Sequence, residues 1–227
     1  MQSRQIFYEV TRSSIMLTGY KFESIRALHT EHVIAWEMLS TAKPHVNLEH
    51  YFGAMSFSQR KQHFFSQLRH AMSCRENGKY YLNTTSELLL EEDFIDRLMM
   101  ETPRPEDLAI ELTDLEEIVQ LSHEQTRELR LRIASLRQRK IEVWADDVYE
   151  AILPKLLACR FLFNGIKIDK HTFWSGRTEQ ERFLQLARNC KKLAGKVLIE
   201  GIETFGDYAL ARASVADYGQ GYLWNKQ

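Results

Sequence analysis

The chain has 227 residues, of which 44% are hydrophobic, 27% charged and 11% aromatic, with 10 glycines and 4 prolines. That length suits one ordinary domain with a large core, and the composition excludes a disordered, collagen-like or disulfide-scaffold protein. Thirty Lys and Arg against 31 Asp and Glu leave a net charge of −1, so no overall basic field draws the chain to nucleic acid or to an anionic membrane.

In chain order, the opening stretch MQSRQIFYEVTRSSIML holds no apolar run of signal-peptide length. No later stretch approaches the roughly 18–20 apolar residues of a membrane span. Three widely spaced cysteines, Cys74, Cys159 and Cys190, form no CxxC pair and read as reduced thiols. The expectation is a cytoplasmic protein with no membrane attachment and no direct nucleic-acid binding. The first β-rich run is 33–36, followed by 79–82, 108–110, 141–144, 165–168 and 196–199. Segments 60–74, 87–100, 124–139 and 178–193 carry apolar residues three and four apart and read as crossover helices. This alternation predicts an α/β fold with parallel strands. With no repeat or linker in the chain, and Thr102-Pro103-Arg104-Pro105 reading as a single turn, one domain over 1–227 is expected. In helix 124–139 the arginines Arg127, Arg130, Arg132, Arg137 and Arg139 read as a solvated face, with Leu129, Ile133 and Leu136 turned inward.

Polar residues mark the strand ends one after another: Glu37, Asn83, Glu111, the pair Asp146-Asp147, Lys167, Glu200 and Gln220. A single carboxylate after a strand usually caps a helix. Seven such ends in sequence exceed what capping explains, because in a parallel barrel the C-terminal strand ends meet on one rim. Carboxylates gathered there require a cation, and an all-oxygen set with one amide suits Mg²⁺ or Mn²⁺ rather than zinc. An adjacent Asp-Asp pair can bridge two metal ions in phosphoryl transfer.

At these same residues the chain resembles the EAL domain family, metal-dependent phosphodiesterases that linearise cyclic di-GMP. Trp36-Glu37-Met38-Leu39 is similar to its Glu-Ala-Leu signature, Tyr81-Leu82-Asn83-Thr84-Thr85 to its Asn-Leu-Ser strand, and Ile110-Glu111-Leu112-Thr113-Asp114 to Glu-Leu-Thr-Glu. Ala145-Asp146-Asp147 resembles the start of Asp-Asp-Phe-Gly, and Ile166-Lys167-Ile168-Asp169 the Lys-Ile-Asp motif. Ile199-Glu200-Gly201-Ile202-Glu203-Thr204 is similar to Glu-Gly-Val-Glu-Thr, and Gln220-Gly221-Tyr222-Leu223 to Gln-Gly-Tyr-Leu. The resemblance implies a modified (β/α)8 TIM-type barrel. It implies that Glu37, Asn83, Glu111, Asp146, Asp147 and Glu200 ligate metal, that Lys167 positions the attacking water with Glu37 and Glu200 beside it, and that Gln220 and Glu203 face the substrate.

The substrate side departs from the family pattern. Thr41 stands where the family has a phosphate-clamping arginine, and Glu23 where it has a glutamine. Val148-Tyr149 replace the start of a glycine loop, Asp114 shortens the glutamate that holds that loop, and the chain ends where the family usually continues with another helix. A charge-assisted hydrogen bond to phosphate is worth roughly 1.5–3 kcal/mol, so these losses weaken nucleotide binding on the order of 100-fold. Lost support for the metals costs roughly another 10- to 100-fold. The leading expectation is therefore a degenerate stand-alone member that regulates by binding a protein, by analogy the flagellar master transcription regulator, with cyclic di-GMP binding and hydrolysis weak or absent. The alternative is an active Mg²⁺- or Mn²⁺-dependent phosphodiesterase producing linear pGpG. A receptor that binds the nucleotide without cleaving it ranks third.

Overall fold

A computed structural model describes residues 16–74 and 78–224. The stretch 1–15, on which most of the export reading rests, lies outside the described residues, as do the last three. Strands β1 (Leu17–Ala27), β2 (Val33–Ala42), β3 (Lys79–Thr84), β4 (Leu108–Leu112), β5 (Glu142–Val148), β6 (Gly165–Ile168), β7 (Lys196–Ile199) and β8 (Tyr218–Gly219) close in chain order into an eight-stranded barrel. Neighbours from β2 to β8 are parallel, whereas β1 runs antiparallel to both β2 and β8. This is the α/β barrel expected, with its first strand reversed. The reversal has a local cause, because only the five residues from Leu28 to His32 separate β1 from β2, and so short a link permits a hairpin but no parallel crossover.

Helices α1 (Leu48–Gly53), α2 (Phe57–Ser73), α3 (Ser86–Leu90), α4 (Phe94–Glu101), α5 (Leu115–Ile118), α6 (His123–Gln138), α7 (Leu153–Cys159), α8 (Lys170–Ser175), α9 (Gln180–Leu193) and α10 (Phe205–Ala213) surround the barrel. Capping boxes at Ser56/Gln59, Ser122/Gln125 and Thr204/Asp207 fix the starts of α2, α6 and α10. The helix expected over 87–100 is divided, because the run Glu91-Glu92-Asp93 leaves the helical path and the carbonyls of Glu91 and Glu92 accept from Arg132 instead. On α6, Leu129, Ile133 and Leu136 are fully buried, as their spacing predicts. None of the helices among the described residues is long and apolar enough to cross a membrane. Among the described residues Cys74, Cys159 and Cys190 form no disulfide.

Inside the barrel, side chains alternate with period two, so every second residue of each strand points inward. Ile25, Ala35, Tyr81, Ala109, Trp144 and Leu198 form a separate buried cluster against which Tyr218 packs. At Gly165 a Cβ would fall 2.3 Å from the Trp144 ring, so the missing side chain of β6 is the space the indole fills. Glycine is therefore required there for close approach, and the apolar layer is a packed floor.

Candidate active site

The next inward position along each parallel strand, two residues beyond the apolar layer, is polar. It is Glu37 on β2, Asn83 on β3, Glu111 on β4, Asp146 on β5, Lys167 on β6, Glu200 just after β7 and Gln220 just after β8. The reversed β1 contributes Glu23, two residues before Ile25 and paired in register with Glu37. Each strand thus supplies one polar side chain to a single ring above the apolar floor. The sequence reading placed Glu37, Asn83, Glu111 and the Asp146-Asp147 pair after their strands. They lie within β2, β3, β4 and β5, because pairing with β1 carries β2 on to Ala42, the β3–β4 ladder runs on to Thr84 and Leu112, and a bulge carries β5 on to Val148.

Lys167 is fully buried at the centre of this ring. Its Nζ lies 2.8 Å from Glu200 Oε1, 3.1 Å from Asp146 Oδ1, 3.2 Å from Glu111 Oε1 and 3.4 Å from Glu37 Oε2. The ammonium is thus held by charge from four sides. Gln220 Nε2 donates to Glu37 Oε2 at 2.7 Å, and Asn83 Nδ2 donates to Glu37 Oε1 at 3.2 Å. Glu37 is therefore satisfied on both oxygens, whereas both oxygens of Glu111 and Oδ1 of Asn83 are buried without a donor.

The ionisation of the ring follows from one cation serving several anions. Burial disfavours the charged form of every carboxylate, and Lys167 offsets this only in part. Burial and the neighbouring carboxylates raise Glu111 well above its ordinary range, and they push Glu200 up to about 8 and Asp146 up to about 6. For Glu37 burial acts upward as well, but Lys167, Gln220 and Asn83 together outweigh it and hold the carboxyl below its usual value. Lys167 itself is raised, because four carboxylates overcome the burial that would discharge it.

Asp147 occupies the bulge of β5 with φ +51°, a left-handed conformation that Asp tolerates better than most residues. The bulge lets two consecutive aspartates serve one site, with the Asp147 N–H donating to Asp146 Oδ1 at 3.0 Å. Beyond it, Val148 is buried within β5 and pairs with Ile168, and the Tyr149 hydroxyl donates to Glu116 on α5. At the positions where the resemblance implies a glycine loop, this chain thus has a longer strand and a tyrosine tether. Asp114 is engaged by α3. Its carboxylate accepts from the Ser86 N–H at 2.8 and 2.9 Å and from Ser86 Oγ at 2.6 Å, tying the end of β4 to the start of α3.

Of the remaining positions singled out by sequence, Thr41 lies toward the far end of β2, where its Oγ1 accepts from Thr18 Oγ1 at 3.0 Å. Glu203 stands apart from the Lys167 cluster, half-buried and 3.9 Å from Arg177. Gly201, with φ +75°, turns the chain directly after Glu200, and its carbonyl accepts from Trp174 Nε1 at 2.8 Å. Sequence reasoning missed Lys21, whose Nζ lies 2.6 Å from Glu23 Oε1. The signal was available, since Lys21 and Glu23 are two apart on one strand and must share a face.

The donor set fits a hard divalent cation. Asp146, Asp147 and Glu200 each offer an oxygen within 4.8 Å of the others. The orphaned oxygens of Glu111 and Asn83 are further acceptors with no proton donor to meet them. Oxygen donors of this kind, with no thiolate or imidazole among them, suit Mg²⁺ or Mn²⁺.

Comparison with known proteins gives a consistent result. The family model described as EAL domain matches residues 24–227. An EAL domain protein from Listeria monocytogenes EGD-e superposes with a TM-score of 0.71 at 17% identity, covering 94% of this chain and 88% of that one. A standalone versatile EAL protein from Vibrio cholerae O395, in its c-di-GMP bound form, gives 0.73 at 17% identity over 90% of this chain and 89% of that one. Klebsiella pneumoniae BlrP1, as a manganese/cy-diGMP complex, gives 0.71 at 21% identity over 90% of this chain and 54% of that one. No curated protein sequence matches this chain.

Proposed function

The chain belongs to the EAL domain family, and on that premise we propose that it is a single-domain, cytoplasmic, divalent-metal-dependent phosphodiesterase that opens cyclic di-GMP to linear pGpG. The observation that carries this reading is the ring itself, with four carboxylates around one buried ammonium and acceptor oxygens left without donors. Glu37, Asn83, Glu111, Asp146, Asp147 and Glu200 would hold Mg²⁺ or Mn²⁺, which when bound neutralises phosphoryl oxygens and acidifies water.

The protein groups divide the remaining work. Lys167 keeps its proton under the field of four carboxylates, so it serves as a fixed cation that orients a water or a phosphate oxygen. Gln220 and Asn83 fix Glu37 so that its carboxylate cannot rotate away. Water adds to phosphorus, the bond to one bridging ribose oxygen breaks, and a proton passes to that oxygen. Glu203 is assigned to the substrate side of the same rim.

Two of the sequence arguments for weak hydrolysis lose weight on this geometry. Where the glycine loop would stand, Val148 is held in β5 and Tyr149 is tied to Glu116, and the charge of Glu23 is paired with Lys21. The test is chromatography of cyclic di-GMP incubated with purified protein and Mg²⁺ or Mn²⁺. Linear dinucleotide is expected, and it should vanish in Glu37→Ala; no product with protein in excess over substrate would defeat the reading.

A second reading, a regulator that acts on a protein such as a flagellar transcription regulator, is favoured by one observation. At Thr41, where the family clamps a phosphate, the hydroxyl is engaged by Thr18 and no charge is offered. That reading requires a specific partner to be retained on Glu37→Ala in a pull-down.

A further inference from the structure

The barrel is not flush at its rim. β2 pairs with β3 only at Ala35, Trp36 and Glu37, yet it continues to Ala42 with β1 alone as its partner. The two strands therefore rise above the acidic ring as a ribbon. In its register Glu23 faces Glu37, Lys21 faces Leu39 and Gly19 faces Thr41. By the period-two rule all six share one face, the face that carries Glu37 into the ring. Lys21 is thus the residue immediately above Glu23 on that face, and Thr41 is its diagonal neighbour, about 7–8 Å away by the usual geometry of an antiparallel pair.

Lys21 is also wired to the ring. Its Nζ donates to Glu23 Oε1 at 2.6 Å, Gln220 Nε2 approaches Glu23 Oε2 at 3.4 Å, and the same Nε2 donates to Glu37 Oε2 at 2.7 Å. The side chain remains half exposed at 48%, so the ammonium is open to the rim. An ammonium has three donor hydrogens, and Glu23 occupies one. The carboxylates of Glu23 and Glu37 both favour its charged form, which keeps it cationic against partial burial.

From the juxtaposition of Lys21 and Glu23 with Thr41 on the inward face of this ribbon, we infer that Lys21 is the phosphodiester-binding cation of the site and that Glu23 holds it in place. This rests on the phosphodiesterase reading above and supplies what Thr41 lacks. A dinucleotide with two phosphates needs a cationic donor on the side away from the metal ligands, and Lys21 offers one from β1 instead of from β2, through the donor hydrogens that Glu23 leaves free. Glu23, unfavourable to an anion when bare, becomes an acceptable neighbour because its charge is spent on Lys21.

The experiment measures cyclic di-GMP affinity by calorimetry in Ca²⁺ and steady-state kinetics in Mn²⁺. Lys21→Met should weaken affinity and raise KM tenfold or more while kcat stays within about twofold, and Lys21→Arg should retain wild-type affinity. Thermal stability should not change, since the side chain is at the rim. Glu23→Gln should lower affinity in the wild-type background, where it releases Lys21, but recover it severalfold in Lys21→Met, where the carboxylate is bare. If the wild type binds and hydrolyses while Lys21→Met leaves both constants within twofold, the inference is overturned and the phosphodiesterase reading stands. If the wild type neither binds nor cleaves the nucleotide, that reading fails and takes the inference with it.

Discussion

The two ends of the barrel hold the same kinds of charged groups in opposite proportions. Below the apolar floor, Glu142 lies 3.0 Å from Lys79 Nζ and 3.1 Å from Lys196 Nζ, and it accepts from Trp144 Nε1 at 2.9 Å. Burial would raise that carboxyl, but the indole and the two lysines hold it below its ordinary value. Above the floor, one lysine faces four carboxylates, and Glu111, Asp146 and Glu200 are all pushed up. The lower cluster is complete as it stands. The upper one has more carboxylates than one ammonium can hold ionised, so it retains protons that a divalent cation could displace.

The largest way to break this contrast is Lys167→Met. Removing the one ammonium strands buried carboxylates, for which the usual cost is about 3–5 kcal/mol. Chemical denaturation at pH 8 should show a loss of that order, hydrolysis should disappear, and acidification to pH 5 should recover part of the stability as the carboxylates take up protons. A loss at pH 8 under 1 kcal/mol would mean that the ring does not need its lysine.

The pH dependence of stability should have opposite signs at the two ends. Glu200, near 8, and Asp146, near 6, sit above their unfolded values, so the folded state binds the extra protons. Their contribution is complete below the unfolded values and is lost as pH rises through 6 and 8, with a slope of at most about 1.4 kcal/mol per pH unit for each group. Glu142 is depressed, so its contribution is present above the unfolded value and is lost as pH falls through the folded one. Denaturation between pH 6 and 9 should therefore give a falling curve that Glu200→Gln flattens, with that variant about 1–2 kcal/mol more stable than the wild type at pH 9. Saturating Mn²⁺ should flatten the same curve by displacing the protons, and at 100-fold over its Kd it should add about 2.7 kcal/mol. A curve that rises over this interval would refute the assignment of these carboxyls as the titrating groups.

How much of this was legible in the sequence depends on how locally each feature is determined. Six parallel strands, β2 to β7, announce themselves through short β-rich runs between helical periods, and so do the polar residues that line the rim. β1 carries no comparable run, because its inward residues Lys21 and Glu23 are charged and the chain reads as a polar segment; only tertiary pairing with β2 makes it a strand. β8 is two residues long, below what periodicity can register. The bulge at Asp147 and the tether from Tyr149 to Glu116 join residues whose relation is set by neighbouring strands and helices. The pairing of Lys21 with Glu23 was within reach of a period-two argument, and it was missed because Glu23 was weighed alone.

The smallest expected effect completes the contrast from below. Lys79→Met removes one of two lysines from Glu142 and leaves Lys196 Nζ at 3.1 Å and Trp144 Nε1 at 2.9 Å in place. Because the carboxylate keeps a cation and a donor, the loss should match a partly exposed ion pair, about 0.5–1 kcal/mol. Lys196→Met should behave alike for the same reason. The double variant leaves an ionised, largely buried Glu142 with only an indole donor, so its cost should exceed the sum of the singles by about 1 kcal/mol or more. Hydrolysis and Mn²⁺ affinity should remain at wild-type values in all three, since the apolar layer of Tyr81, Trp144 and Leu198 separates Glu142 from the ring. A drop in metal affinity in the double variant, with the fold intact by circular dichroism, would show that the floor transmits charge between the two ends, and the barrel could then no longer be described as two independent electrostatic sites.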